Sequence, residues 1–137
     1  MSSLENDEFE IEQANERFYR AFESLDIQRM ESVWDVNGPV KCIHPGWDLR
    51  SGWPAVRDSW VLIFNHTAEM RFEVTDVDIA VIGSMAWVTC TEKVTMMVEG
   101  EPHVSRVLAT NLYSKSPAGW LMIHHHGSPV MGGPTSG

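Results

Sequence analysis

The second half of this chain is a succession of strand-like stretches separated by short turns, while the first half is helical. That division constrains the fold more than any single motif. Arg71 to Val81 alternates in part between apolar and polar residues, Ile82-Gly83-Ser84 reads as a turn, and Ala86 to Val98 is rich in Val, Thr and Trp. Glu99-Gly100-Glu101-Pro102 reads as a hairpin loop, His103 to Lys115 as the next strand, Ser116 to Gly119 as a turn, and Trp120 to Ser128 as the last strand. Upstream, Phe9, Ile11, Ala14, Phe18, Ala21, Phe22 and Leu25 recur at helical spacing and predict a helix over 9–25. Asp26 is placed to cap a second helix over 27–36, which Asn37-Gly38-Pro39 ends. Val40 to His44 follows as a short strand stopped by Pro45-Gly46, and Pro54 suits the first turn of a third helix over 53–66. Helices followed by an antiparallel meander predict an α+β domain with the helices on one face of the sheet. The expected domain covers 9–129, with 1–8 a disordered lead-in and 130–137 a flexible tail.

Composition narrows the partners. The 137 residues carry 19 Asp and Glu against 10 Lys and Arg, a formal net charge of -9. That balance repels phosphate backbones and anionic lipid, so neither nucleic acid nor a membrane is an expected partner. No apolar run approaches the length of a membrane span, and the acidic start MSSLENDEFE is unlike a signal peptide. Two cysteines, Cys42 and Cys90, make no disulfide framework. The expected location is therefore the cytoplasm. No phosphate-binding Gly loop, Gly-x-Ser-x-Gly elbow or Cys-x-x-Cys is present, and no cofactor is expected.

Pairing the last strands through four-residue loops sets Lys115 opposite Trp120 and Val98 opposite His103. One face then carries Val88, Cys90, Glu92, Val94, Ala109, Asn111, Tyr113, Met122, His124 and His126; the other carries Thr89, Thr91, Lys93, Thr110, Leu121, Ile123 and His125. The first set has the make-up of a pocket: apolar walls with a few convergent polar groups. In the short strand, Val40, Cys42 and His44 share a face, and His44 is expected to point inward.

The element order resembles the nuclear-transport-factor-2-like superfamily, the cystatin-like α+β cone shared with ketosteroid isomerases and the polyketide cyclases called SnoaL. The stretches Cys42 to Trp60, Arg106 to Lys115 and Gly119 to Pro129 are similar to bacterial SnoaL-like proteins of unassigned activity. The resemblance implies a cone with a homodimer formed through the outer sheet face. In ketosteroid isomerases a carboxylate base moves a proton while a Tyr and a protonated Asp hold the oxyanion. At the position of the base, before a proline, this chain has His44. At the donor Asp, eight residues before the turn glycine, it has Asn111. At the donor Tyr it has Phe18, with Tyr19 next to it.

From these residues the expected site has His44 as general base, Asn111 as oxyanion donor, and Glu92, His124 and His126 tuning or relaying the proton. Trp47 and Trp53 flank the loop after His44 and suit a planar, small apolar or aromatic ligand; Phe18, Tyr19, Trp60 and Met122 complete the expected binding wall. Glu92 on an apolar face calls for an ion pair with His126 or Arg106, or else an elevated pKa. The expected activity is cofactor-independent proton transfer on a small, largely apolar carbonyl compound, of isomerase, cyclase or dehydratase type. The alternatives are a non-catalytic ligand-binding or dimerisation module, and a metal protein using His44, Glu92, His124 and His126; no metal is assigned.

Overall fold

The computed structural model describes residues 3–131. Its elements are α1 (Ser3–Ser24), α2 (Ile27–Val33), β1 (Lys41–Ile43), β2 (Arg50–Ser51), α3 (Trp53–Asn65), β3 (Met70–Ile82), β4 (Met85–Val98), β5 (Glu101–Ser116) and β6 (Gly119–Pro129). They form the expected α+β architecture, a six-stranded sheet in the order β2-β1-β6-β5-β4-β3. Among the described residues no helix is long and apolar enough to cross a membrane.

The helices follow from their apolar stripes and caps. In α1, Ile11, Asn15, Phe18, Tyr19 and Phe22 all lie buried against the sheet. The helix starts at Ser3, so residues 3–8 are helical where a disordered lead-in was expected; Asp7, in that first stretch, accepts from Lys115 Nζ at 2.9 Å. Asp26 caps α2 by accepting from the Gln28 amide at 2.9 Å, as its position predicts. The second helix ends three residues early because Trp34 is extended and bridges Met122 of β6. Pro54 occupies the first turn of α3. Val130 and Met131 carry no element, although the Val130 amide bonds Arg106 O at 3.0 Å. The remainder of the expected tail lies outside the described residues.

Two features of the sheet set the site. The β4–β5 turn is only Glu99-Gly100, both with positive φ (52° and 82°), as a two-residue hairpin of mirror-turn type requires. Pro102 is thus inside the strand opposite Met97, and Val98 faces Glu101 rather than His103. A two-residue shift preserves side-chain parity, so Val88, Cys90, Glu92 and Val94 still share the inner face with Ala109, Asn111 and Tyr113. The β5–β6 pair begins in the expected register, Lys115 opposite Trp120, but a bulge follows Tyr113↔Met122, and the next pair is Leu112↔His124. One extra residue on β6 reverses every later side chain. His125 therefore points inward beside Asn111, while His124 and His126 lie on the outer side, opposite Leu112 and Thr110. The expectation that His124 and His126 enter the pocket is overturned by this bulge.

The core fills the concave side of the sheet. Phe22 meets Trp60 edge to face, with centroids 4.7 Å apart and planes at 85°, and packs on Phe72 at 4.4 Å. Phe18 contacts Trp60, Tyr19 and His125. Such aromatic pairs add about 0.5–1.5 kcal/mol each beyond their buried area.

Candidate active site

A cavity of about 260 Å³ opens between α1, α3 and the inner sheet face. Its apolar wall includes Phe22, Ile63, Met70, Phe72, Val94 and Val107, and its buried polar groups are His44, Glu92 and His125. This is slightly below the usual range of roughly 300–1,000 Å³ for small-molecule sites.

The His44 wall is built by a tight turn. His44-Pro45-Gly46-Trp47 closes with a 2.9 Å bond from the Trp47 amide to His44 O, and Gly46 has φ 82°, as the third position of a type II turn demands. The turn brings Trp47 back over His44, with ring centroids 5.0 Å apart, and the Arg50 guanidinium lies 5.1 Å from the centroid of the Trp47 ring. Gly127 of β6 permits the close approach: a Cβ there would sit 3.1 Å from both Pro45 Cγ and Val107 Cγ1.

The tautomer of His44 follows from its neighbour. Ser59 spends its single proton on Val56 O at 2.6 Å, so its oxygen accepts from His44 Nε2–H at 2.9 Å. Burial, reinforced by the Arg50 charge, pulls the His44 pKa down to about 4, and the ring is neutral at pH 7.

On the opposite wall a hydrogen-bond chain links α1 to the sheet. Tyr19 donates to Glu92 Oε2 at 2.6 Å. Having used its one proton, the Tyr19 oxygen accepts from Asn111 Nδ2 at 3.2 Å. The same Asn111 amide nitrogen donates to Asn15 Oδ1 at 2.9 Å, which also accepts from Tyr113 OH at 2.8 Å. The Asn111 edge facing His125 is consequently its carbonyl, and it accepts from His125 Nδ1–H at 2.6 Å. Burial, followed by the neighbouring imidazoles, holds the His125 pKa well below the ordinary value. Burial pushes Glu92 up to about 7, and the Tyr19 bond only partly offsets it.

Several expectations change on this geometry. Asn111 has both amide protons and its carbonyl engaged within the wall, so it positions its neighbours and offers no donor to the cavity. Glu92 takes the elevated-pKa alternative: among the described residues it forms no ion pair with His126 or Arg106. Trp47 lines the cavity, but Trp53 packs on Trp34, and Phe18, Trp60 and Met122 are core residues behind it. Tyr19, the residue after Phe18, gives its hydroxyl proton to Glu92 and so offers no donor to the cavity. With His124 and His126 on the far side of the sheet, the four-residue ligand set is split, and among the described residues no three His, Cys, Asp or Glu gather around a metal-sized point. Cys42 and Cys90 are buried thiols with pKa values raised by burial, without the activation a nucleophile needs. Sequence reasoning missed His125, Asn15 and Ser59. Asn15 and Tyr19 stand four apart on α1, a helical spacing that places both on the inner face.

Comparison with known proteins agrees with this architecture. The model of the SnoaL-like domain matches residues 11–132. A crystal structure from Streptomyces avermitilis, "a putative dehydratase from the NTF2-like family", is 34% identical, with a TM-score of 0.89 over 93% of this chain and 98% of that one. A crystal structure from Thiobacillus denitrificans, described as a "Putative calcium/calmodulin-dependent protein kinase type II association domain", is 32% identical, with a TM-score of 0.76 over 88% of this chain and 94% of that one. The F-box protein SKIP8 of Arabidopsis thaliana is 34% identical over 117 residues; the match takes in 85% of this chain but only 48% of that protein's length. The chain belongs to the SnoaL-like domain family, within the nuclear-transport-factor-2-like superfamily.

Proposed function

We propose that the cavity binds a small, largely apolar carbonyl compound and moves a proton on it without a cofactor, in isomerase-, cyclase- or dehydratase-like chemistry. Glu92 is the group that takes and returns the proton. The observation that carries this reading is a buried carboxyl titrating at about 7 on an apolar wall, with Tyr19 holding one of its oxygens. A group with its pKa at the working pH is populated in both forms and serves as base and then acid. His44, at about 4, is the weaker base at neutral pH, which moves the proton-transfer role from the imidazole to the carboxyl. Dehydration requires one proton taken from carbon and one handed to a departing hydroxyl, and the same carboxyl can do both in turn. The dehydratase description of the Streptomyces relative supports that form of the chemistry.

The test needs no natural substrate. Cyclohexanone and 1-tetralone are incubated with the protein in D2O, and deuterium entry beside the carbonyl is followed by NMR. The expected result is exchange above the buffer rate, falling by about a hundredfold in Glu92→Gln. Unchanged exchange in that variant overturns the assignment, and ligands that bind without exchange favour the non-catalytic module.

The outer sheet face supports a homodimer. Trp87, Val104 and Leu108 stand there 51%, 57% and 54% exposed, an unusual row of large apolar groups for open water. An association domain among the relatives fits the same reading. Trp87→Glu is expected to shift the mass measured by light scattering from dimer to monomer; a wild-type monomer overturns it.

A further inference from the structure

The hydrogen-bond chain also says what kind of ligand the buried end of the cavity can hold. We propose that His125 Nε2 is a fixed hydrogen-bond acceptor that selects a ligand carrying a hydroxyl, so that the carbonyl compound bound also bears an alcohol, enol or phenol group. The inference rests on reading the cavity as a ligand site, but not on catalysis.

Tyr19 has one proton and gives it to Glu92, which forces the Asn111 NH2 toward Tyr19 and the Asn111 carbonyl toward His125. A carbonyl only accepts, so the proton of His125 sits on Nδ1 and its Nε2 carries a lone pair. The buried side-chain nitrogens and oxygens without a partner among the described residues are Arg50 Nε, Trp60 Nε1 and Trp120 Nε1. Neither His125 Nε2 nor Glu92 Oε1 is among them, and no protein hydrogen bond reaches either atom among the described residues. Both residues line the cavity, so each of these atoms opens onto it. On the facing wall His44 has committed its only proton to Ser59. His44 and His125 thus offer the cavity no N–H donor, while Glu92 presents an acceptor when ionised and an O–H when protonated. Groups that can donate, on Ser105, Arg106 and Trp47, belong to exposed or half-buried residues. A ligand hydroxyl donates to His125 Nε2; an ether or carbonyl oxygen placed against that atom would face a lone pair.

Recognition of this kind discriminates strongly, because an analogue without the hydroxyl leaves the buried acceptors unpaired. The experiment compares 2-naphthol with 2-methoxynaphthalene, which share a ring system and differ in the donor. Titration calorimetry with wild-type protein is expected to show the naphthol bound at least about tenfold more tightly. In His125→Phe, which keeps the ring and removes the nitrogens, that preference disappears. Because this variant strands the Asn111 carbonyl, imidazole 15N NMR of the wild type supplies a second readout: Nε2 resonates as unprotonated and shifts when 2-naphthol is added. Equal affinity for the two probes, no binding of 2-naphthol, a preference that survives in folded His125→Phe, or a protonated Nε2 overturns the proposal. Deuterium exchange without alcohol preference would leave proton transfer standing and remove this inference; preference without exchange would do the reverse.

Discussion

Replacing Glu92 by Gln isolates the cost of the buried carboxylate. The carboxyl titrates at about 7 in the fold and at 4.5 in the unfolded chain. As pH rises above 4.5 the unfolded chain loses this proton while the fold keeps it, so stability falls and then levels off above 7. Integrating those two values gives a loss of about 2.5 kcal/mol between about pH 5 and about pH 8. Gln keeps the volume and an oxygen for the Tyr19 proton but does not titrate. The buried histidines act in the opposite sense: their lowered pKa values stabilise the fold above 6.5, and that contribution is lost as pH falls, for His44 on going toward 4. They are present in both proteins, so they cancel in the comparison. Urea unfolding, followed by tryptophan fluorescence at the two pH values, reads the difference. The stability gap is expected to open in favour of Glu92→Gln by about 2.5 kcal/mol on going to the higher pH. Wild type and variant changing in parallel with pH would refute the reasoning, because Glu92 would then titrate alike in the folded and unfolded chain.

Other consequences can be read from the same network. Tyr19→Phe removes the one bond that holds the Glu92 pKa down, so the carboxyl is expected to titrate above 7; infrared spectroscopy should show its protonated carbonyl band persisting to higher pH than in wild type. The two inner histidines are expected to be opposite tautomers, His44 protonated on Nε2 and His125 on Nδ1, and long-range 15N–1H NMR distinguishes them directly. Both rings should remain neutral at about pH 6, as their burial requires.

Much of this was legible in the residues. The helical stripe of α1, the Asp26 cap and the strand-rich second half each have a local cause, and each produced the element expected of it. The inner face of β4 and β5 survived a wrong loop length because an error of two residues leaves parity intact. The last strand did not. Its bulge lies in Met122-Ile123-His124, with no Gly or Pro to mark it, and is set by pairing with β5 on one side and β1 on the other. One inserted residue was enough to exchange His125 for His124 and His126. The cost of an acid on an apolar face already pointed to Glu92, whereas Tyr19, expected on the binding wall beside Phe18, meets that carboxyl only through the fold, 73 residues away in the chain. Asn15 and Ser59 were hidden for a related reason: a buried polar residue on a helix is recognised by what it meets across the core, and Asn111 and His44 are far away in the chain.

The central claim is that Glu92 is a proton-transfer group poised at neutral pH. A 13C NMR titration of glutamate side-chain carboxyls, with the Glu92 resonance identified by its absence in Glu92→Gln, measures this most directly. The account predicts a midpoint near 7 for that one carboxyl. A midpoint at the ordinary 4.5 would contradict it.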